Sequence, residues 1–118
     1  MNEAVLRFVK EQAAKVELVA SVCTGALILG KAGLLNGRRA TTHWRFLDLL
    51  RELFPDVTVD ESSQVVDEGK VMTSAGIAAG IDMALMIVQR FCGKHVAGLW
   101  PVTCSIRFRR AVRAGLLL

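Results

Sequence analysis

Residues 17–26 read ELVASVCTGA. The segment up to Val22 is short, apolar and rich in Val, with no polar alternation. It is too short for a helix, so it reads as a strand buried on both faces, the kind a parallel sheet contains. Cys23 follows at once, and the small residues Gly25 and Ala26 stand behind it. A strand running through a tight turn into a helix pushes the turn residue out at the carboxyl end of a sheet. The start of the following helix offers unpaired N–H groups and the positive end of its dipole. Both favour a thiolate and a developing oxyanion. A buried structural cysteine satisfies the same pattern, because Cys is among the most buried residue types. Thr24 caps the helix or offers its hydroxyl or N–H to a substrate.

Working outward, residues 2–14 carry Val5, Phe8, Val9 and Ala13 at helical spacing. Residues 24–35 read as a helix that stops near Asn36 and Gly37. Residues 39–42 form a short strand. Residues 44–54 form an amphipathic helix with Leu47, Leu50, Leu53 and Phe54 on one face, ended by Pro55. Short strands follow at 57–59, 64–66 and 70–73, with a turn at 67–69. Residues 76–92 make a long apolar helix, with Gly93 as its cap. Alternation of helix and strand argues an α/β fold with parallel pairing.

His43 stands where the strand at 39–42 gives way to a helix, again at a carboxyl sheet edge. It is the one candidate base in the body of the chain, since His95 lies beyond Gly93. A histidine there is also an ordinary capping or surface residue, and only the matching strand-end positions pair it with Cys23. Asp82 interrupts the apolar helix and is expected to face solvent or a polar neighbour. Cys92 and Cys104 read as structural or incidental.

The chain has 118 residues, 53% of them hydrophobic, with ten Gly and two Pro. That excludes a disordered or fibrous protein and fits one small domain. Three cysteines without CxxC spacing exclude a disulfide framework and a zinc ribbon, and suit a reducing, cytoplasmic setting. The longest apolar stretch, residues 75–88, is broken by Asp82 and falls short of the roughly 18 residues a membrane span needs. The start of the chain lacks the pattern of a signal peptide. The formal net charge is +4, but residues 94–118 hold five basic and no acidic side chains. The rest carries ten basic against eleven acidic. The excess therefore sits in a tail whose short arginine run, residues 105–114, has four arginines and one aromatic, Phe108. Such a tail has neither a recognition motif nor a stacking platform for nucleic acid. After about Gly98 the pattern changes, so residues 1–98 read as the domain and 99–118 as an atypical basic tail, helical at most over 105–114.

Three segments together resemble a known family: residues 17–26, residues 33–44 (GLLNGRRATTHW) and residues 71–82 (VMTSAGIAAGID). They are similar to the ThiJ/PfpI branch of the class I glutamine amidotransferase-like superfamily. The nearest types are isonitrile hydratase-like proteins and the amidotransferase-like domain of AraC-type regulators. The resemblance covers residues 2–98. It implies a partial flavodoxin-like three-layer sandwich, with a mainly parallel sheet and a nucleophile elbow. It puts the family's reactive cysteine on Cys23, the oxyanion-side residue on Thr24 and the neighbouring histidine on His43. It implies hydrolase or hydratase chemistry on a small molecule, with no metal or organic cofactor, and dimers among full-length relatives. It also implies a preceding half, carrying an acidic partner for the nucleophile, that this sequence does not contain. Activity is accordingly expected to be weak or absent. The alternatives are a ligand-sensing domain without turnover and a nonfunctional remnant.

Overall fold

In the computed structural model, the described residues are 3–92 and the short strand at 116–117. The chain runs α1 (Glu3–Lys15), β1 (Leu18–Val22), α2 (Gly25–Lys31) and β2 (Arg39–Ala40). A 3-10 turn (Trp44–Phe46) leads into α3 (Leu47–Leu53). Then come β3 (Thr58–Val59), β4 (Val65–Asp67), β5 (Val71–Ser74), α4 (Ile77–Cys92) and β6 (Leu116–Leu117). The main sheet has the order β4-β5-β1-β6. β1 is parallel to both neighbours, with Val19 opposite Val71 and Leu18 opposite Leu116. β4 and β5 form an antiparallel hairpin. Its turn sets Gly69 at φ +84°, while Asp67 Oδ1 accepts from the Gly69 N–H at 2.9 Å. A separate parallel pair joins β2 and β3.

The alternation of β1 splits the core into two layers. Val19 packs with Val9, Ala13, Ala26 and Leu29 under α1 and α2. Leu18 and Ala20 pack with Met72, Met83 and Ile87 under α4. Helices thus cover both faces of a mainly parallel sheet, the three-layer arrangement expected, and β1 is buried on both faces as read. Arg90 ties α4 to the hairpin through Asp67 Oδ1 at 2.7 Å and the Gly69 carbonyl at 2.8 Å.

Several expectations need correction. In α1 only Val9 and Ala13 are buried; Val5 and Phe8 face outward, because no described element lies over that side. In α3 only Leu50 is buried and Leu53 is exposed, since one short helix presents one narrow stripe to α2. The first turn expected for α3 is instead the 3-10 turn, started by His43 in an extended conformation (ψ 137°). α2 ends at Lys31 rather than near Asn36. Gly33 takes φ +78°, the Gly33 N–H donates to the Gly30 carbonyl and the Leu34 N–H to the Leu29 carbonyl. That is a Schellman stop, for which glycine is suited at the left-handed position. The strand at 116–117 was not expected. The tail's expected helical run, Cys104 and His95 lie outside the described residues. Asp82 is exposed, as read.

Candidate functional site at the end of strand β1

β1 delivers Cys23 to the turn before α2, and there its backbone takes φ +56°. Among the described non-glycine residues Cys23 alone has a positive φ. The left-handed region disfavours a side chain by roughly 1–2 kcal/mol, so the neighbours must hold it. Two hydrogen bonds do so. The Cys23 N–H donates to the Ser74 carbonyl at 3.2 Å. The Thr42 hydroxyl donates to the Cys23 carbonyl at 2.7 Å. The thiol itself is half-buried and unpaired by disulfide.

Beneath the elbow lies a set of buried hydroxyl residues: Ser21, Thr41, Thr42, Thr73 and Ser74. Thr73 Oγ1 accepts from the Thr41 N–H at 2.9 Å, and the Ser74 hydroxyl donates to the Ser21 carbonyl at 3.0 Å. These bonds stitch the carboxyl ends of β1 and β5 to the segment after β2. The cue was present in the sequence, since hydroxyl residues end all three segments, but which atoms meet depends on sheet register. Gly25 permits the tight passage after Cys23, because a Cβ there would lie 3.3 Å from Ser21 Cβ.

Thr24 sits at the N-cap position of α2, exposed and without a side-chain capping bond. Its hydroxyl is therefore not spent on the helix. His43 follows Thr42 directly, and its Nδ1 accepts from the Arg45 N–H at 3.2 Å. The ring stacks on Trp44 with centroids 5.7 Å apart and lies 5.9 Å from Phe46. Trp44 is 70% exposed, with the Arg45 guanidinium 5.2 Å from its ring centre. Cys23 and Thr24 are thus adjacent, and Thr42 brings the start of the His43 segment to the elbow. Among the described residues no hydrogen bond joins the Cys23 thiol to the His43 ring. The described residues also contain no cluster of three metal-ligating side chains, and no helix long and apolar enough to cross a membrane.

Comparison with known proteins bears on the family and the fold. The chain is 47% identical over 98 residues to the isonitrile hydratase of Pseudomonas putida, covering 83% of this chain and 42% of that protein. It is 40% identical over 74 residues to the HTH-type transcriptional regulator CdhR of Pseudomonas aeruginosa, covering 63% of this chain and 22% of the regulator. A solved ThiJ/PfpI family protein from Pseudomonas syringae superposes with a TM-score of 0.68 at 28% identity, covering 95% of this chain and 52% of that one. The chain therefore spans about half or less of these relatives, and what it shares with them is a partial flavodoxin-like α/β fold. The pattern of the DJ-1/PfpI family matches residues 1–90, and the chain belongs to that family.

Proposed function

We propose that this chain is the elbow-bearing part of a cysteine-dependent domain acting on a small electrophilic molecule. One observation carries the reading: Cys23 is held at φ +56° by bonds to both of its peptide groups, with its side chain left half-exposed. Strain kept at one reactive residue, and supported from both sides, is typical of functional sites. In this reading the Cys23 thiolate attacks a carbonyl or isonitrile carbon. The N–H groups of the first turn of α2, with Thr24, face the charge that develops. His43 is the proton carrier, through Nε2, because Nδ1 is occupied. For an isonitrile, the carbon–sulfur adduct takes one proton and is then hydrolysed by water, giving the N-substituted formamide and returning the thiol. The relative from P. putida supports that substrate class. A reducing, cytoplasmic setting and pairing into dimers belong to the same proposal.

A second reading is a sensor domain that binds without turnover. The similarity to CdhR favours it, as does a His43 ring with no bond to the thiol. Iodoacetamide labelling of the full chain followed by mass spectrometry tests the common core of both readings. Cys23 should be alkylated first, and Cys23→Ser should abolish that signal. Faster alkylation of Cys92 or Cys104 overturns the site. Formamide release from an alkyl isonitrile then separates enzyme from sensor.

A further inference from the structure

The amino-terminal end of the sheet, opposite the elbow, carries a concave surface of its own. A cavity of about 350 Å³ lies there, lined from the later turns of α1, the segment after α2 and the starts of β1 and β5. Val19 and Val71, partners across the two strands, both line it. Cys23 stands four residues beyond Val19, roughly 13 Å along a strand. The cavity is therefore distinct from the reactive turn.

Three cationic residues line it, Lys10, Arg38 and Lys70, and no acidic residue does. Elsewhere Arg39, Arg51 and Arg90 each meet a carboxylate. Lys10, Arg38 and Lys70 form no ion pair among the described residues. The acid nearest in sequence to Lys70 is Glu68, and its carboxylate is turned to Arg39. Glu68 Oε1 accepts from the Arg39 N–H at 2.7 Å and Oε2 lies 4.0 Å from Arg39 Nε. Arg38 reaches only the Glu68 backbone carbonyl, at 3.4 Å. The Lys70 ammonium donates to the Val16 carbonyl, which uses one of its three donors. The carbonyls of Leu29 and Gly30 at the end of α2 do not draw on these charges, since they already accept from the Leu34 and Gly33 N–H groups. Arg38 and Lys70 are half-buried, so their charges are held partly out of water with no counter-charge from the described residues. An ordinary solvated basic face leaves its charges in water on a convex surface; here they surround a concavity with apolar walls.

We infer that this cavity is a binding site for a small phosphate monoester with an apolar body. The Arg38 guanidinium offers paired N–H donors to a tetrahedral oxyanion, and the two ammonium groups add further donors and charge. Three cations suit the near-dianion of a phosphate monoester better than the single charge of a carboxylate. The apolar body meets Ala13, Val19, Leu34 and Val71. Asn36 adds an amide that makes no hydrogen bond among the described residues.

Phenyl phosphate is the probe, titrated into the full 118-residue chain at about 0.15 M salt, where diffuse attraction to a basic chain is screened. Amide resonances of Gly33, Asn36 and Val71 should shift saturably, and those of Cys23 and Thr24 should not. Inorganic phosphate should bind the same place several-fold more weakly, because it lacks the apolar body. Arg38→Gln should raise the dissociation constant about tenfold or more, through lost charge-assisted donors. Lys10 is exposed and makes no hydrogen bond among the described residues, so Lys10→Gln should fold unchanged. It should raise the dissociation constant about threefold. Arg45→Gln removes the same charge at the elbow end of the sheet and should leave binding as it is. No saturable shift at high millimolar phenyl phosphate overturns the inference. So do shifts centred on Cys23 and Thr24, equal affinity for phenyl phosphate and inorganic phosphate, or equal weakening by Lys10→Gln and Arg45→Gln. The site does not depend on the chemistry proposed for Cys23, whose alkylation is read separately.

Discussion

The two edges of β1 meet opposite conditions. Toward β5 the strand is paired along Val19 to Val22 and braced by the Ser74 hydroxyl. Toward β6 it is paired, among the described residues, only at Leu18 and Val19; Ala20, Ser21 and Val22 line an apolar cavity, and the buried Ser21 hydroxyl has no hydrogen-bond partner among the described residues. One pentapeptide therefore has a closed side and an open one. Its own residues account for neither difference: a β-strand presents the same kind of peptide groups to both edges, and the neighbours decide which are satisfied. The reactive turn at Cys23 is anchored from the closed side, by Ser74 and by the segment after β2. Elbow geometry can consequently persist while the opposite edge stays open.

The largest effect should come from the closed layer. Met83 on α4 is buried against Leu18, Ala20, Met72 and Ile87. Met83→Ala should lower stability by about 2–5 kcal/mol through lost burial and a residual cavity. Phe8 is the larger side chain but is 55% exposed on α1, with no described element over it. Phe8→Ala should change stability by about 1 kcal/mol or less. Urea midpoints of the two variants give the comparison directly. Similar losses would mean that this face of α1 is covered in solution and that the contrast between covered and bare faces is false.

How much of this contrast could be read before the structure depends on the range of each interaction. β1, α4 and the elbow were legible, because a five-residue apolar run, a long apolar helix and a Cys followed by small residues are local signals. The exposure of Val5 and Phe8 was not, since a helical stripe shows which residues share a face but not whether anything lies over it. The end of α2 at Lys31, before Gly33, was not legible for a different reason. The sequence offers glycines at 33 and 37, and both do take positive φ, at +78° and +73°. Only the carbonyls of Leu29 and Gly30 decide which of them stops the helix. Thr42 was missed because its partner, the Cys23 carbonyl, is 19 residues away. Cys23, Thr24 and His43 were singled out by position and by the family resemblance, but the absence of a capping bond from Thr24 and the engaged Nδ1 of His43 required coordinates.

An intermediate effect is expected where the closed side meets the reactive turn. Thr42 is fully buried and its hydroxyl donates to the Cys23 carbonyl. Thr42→Val keeps the shape and leaves that carbonyl short of a donor, which should destabilise by about 1–3 kcal/mol. It should also slow alkylation of Cys23, because the backbone at φ +56° can then relax and withdraw the side chain. Thr42→Ser retains the hydroxyl and should restore the alkylation rate. A Thr42→Val variant that is less stable yet alkylates at the original rate would reduce Thr42 to a packing residue and detach the elbow from its brace.

The smallest effect on stability belongs to the outer face of α4, and there the informative quantity is association. Ile77, Ile81 and Leu85 recur at four-residue spacing on α4 and are 83%, 62% and 59% exposed. Spaced so, they form one continuous apolar stripe, which soluble surfaces seldom carry without a use. Ile81 has little contact to lose, and glutamine is at least as good a helix former. Ile81→Gln should therefore shift the unfolding free energy by no more than about 0.5 kcal/mol. The same change removes apolar surface that water disfavours, so the chain should scatter less light at a given concentration and elute later and more sharply from a sizing column. The two readouts must diverge for the stripe to be bare. A loss of stability comparable to that of Met83→Ala, with no change in association, would show that Ile81 is buried under another element and that the layer on α4 is as closed as the side of β1 that faces β5.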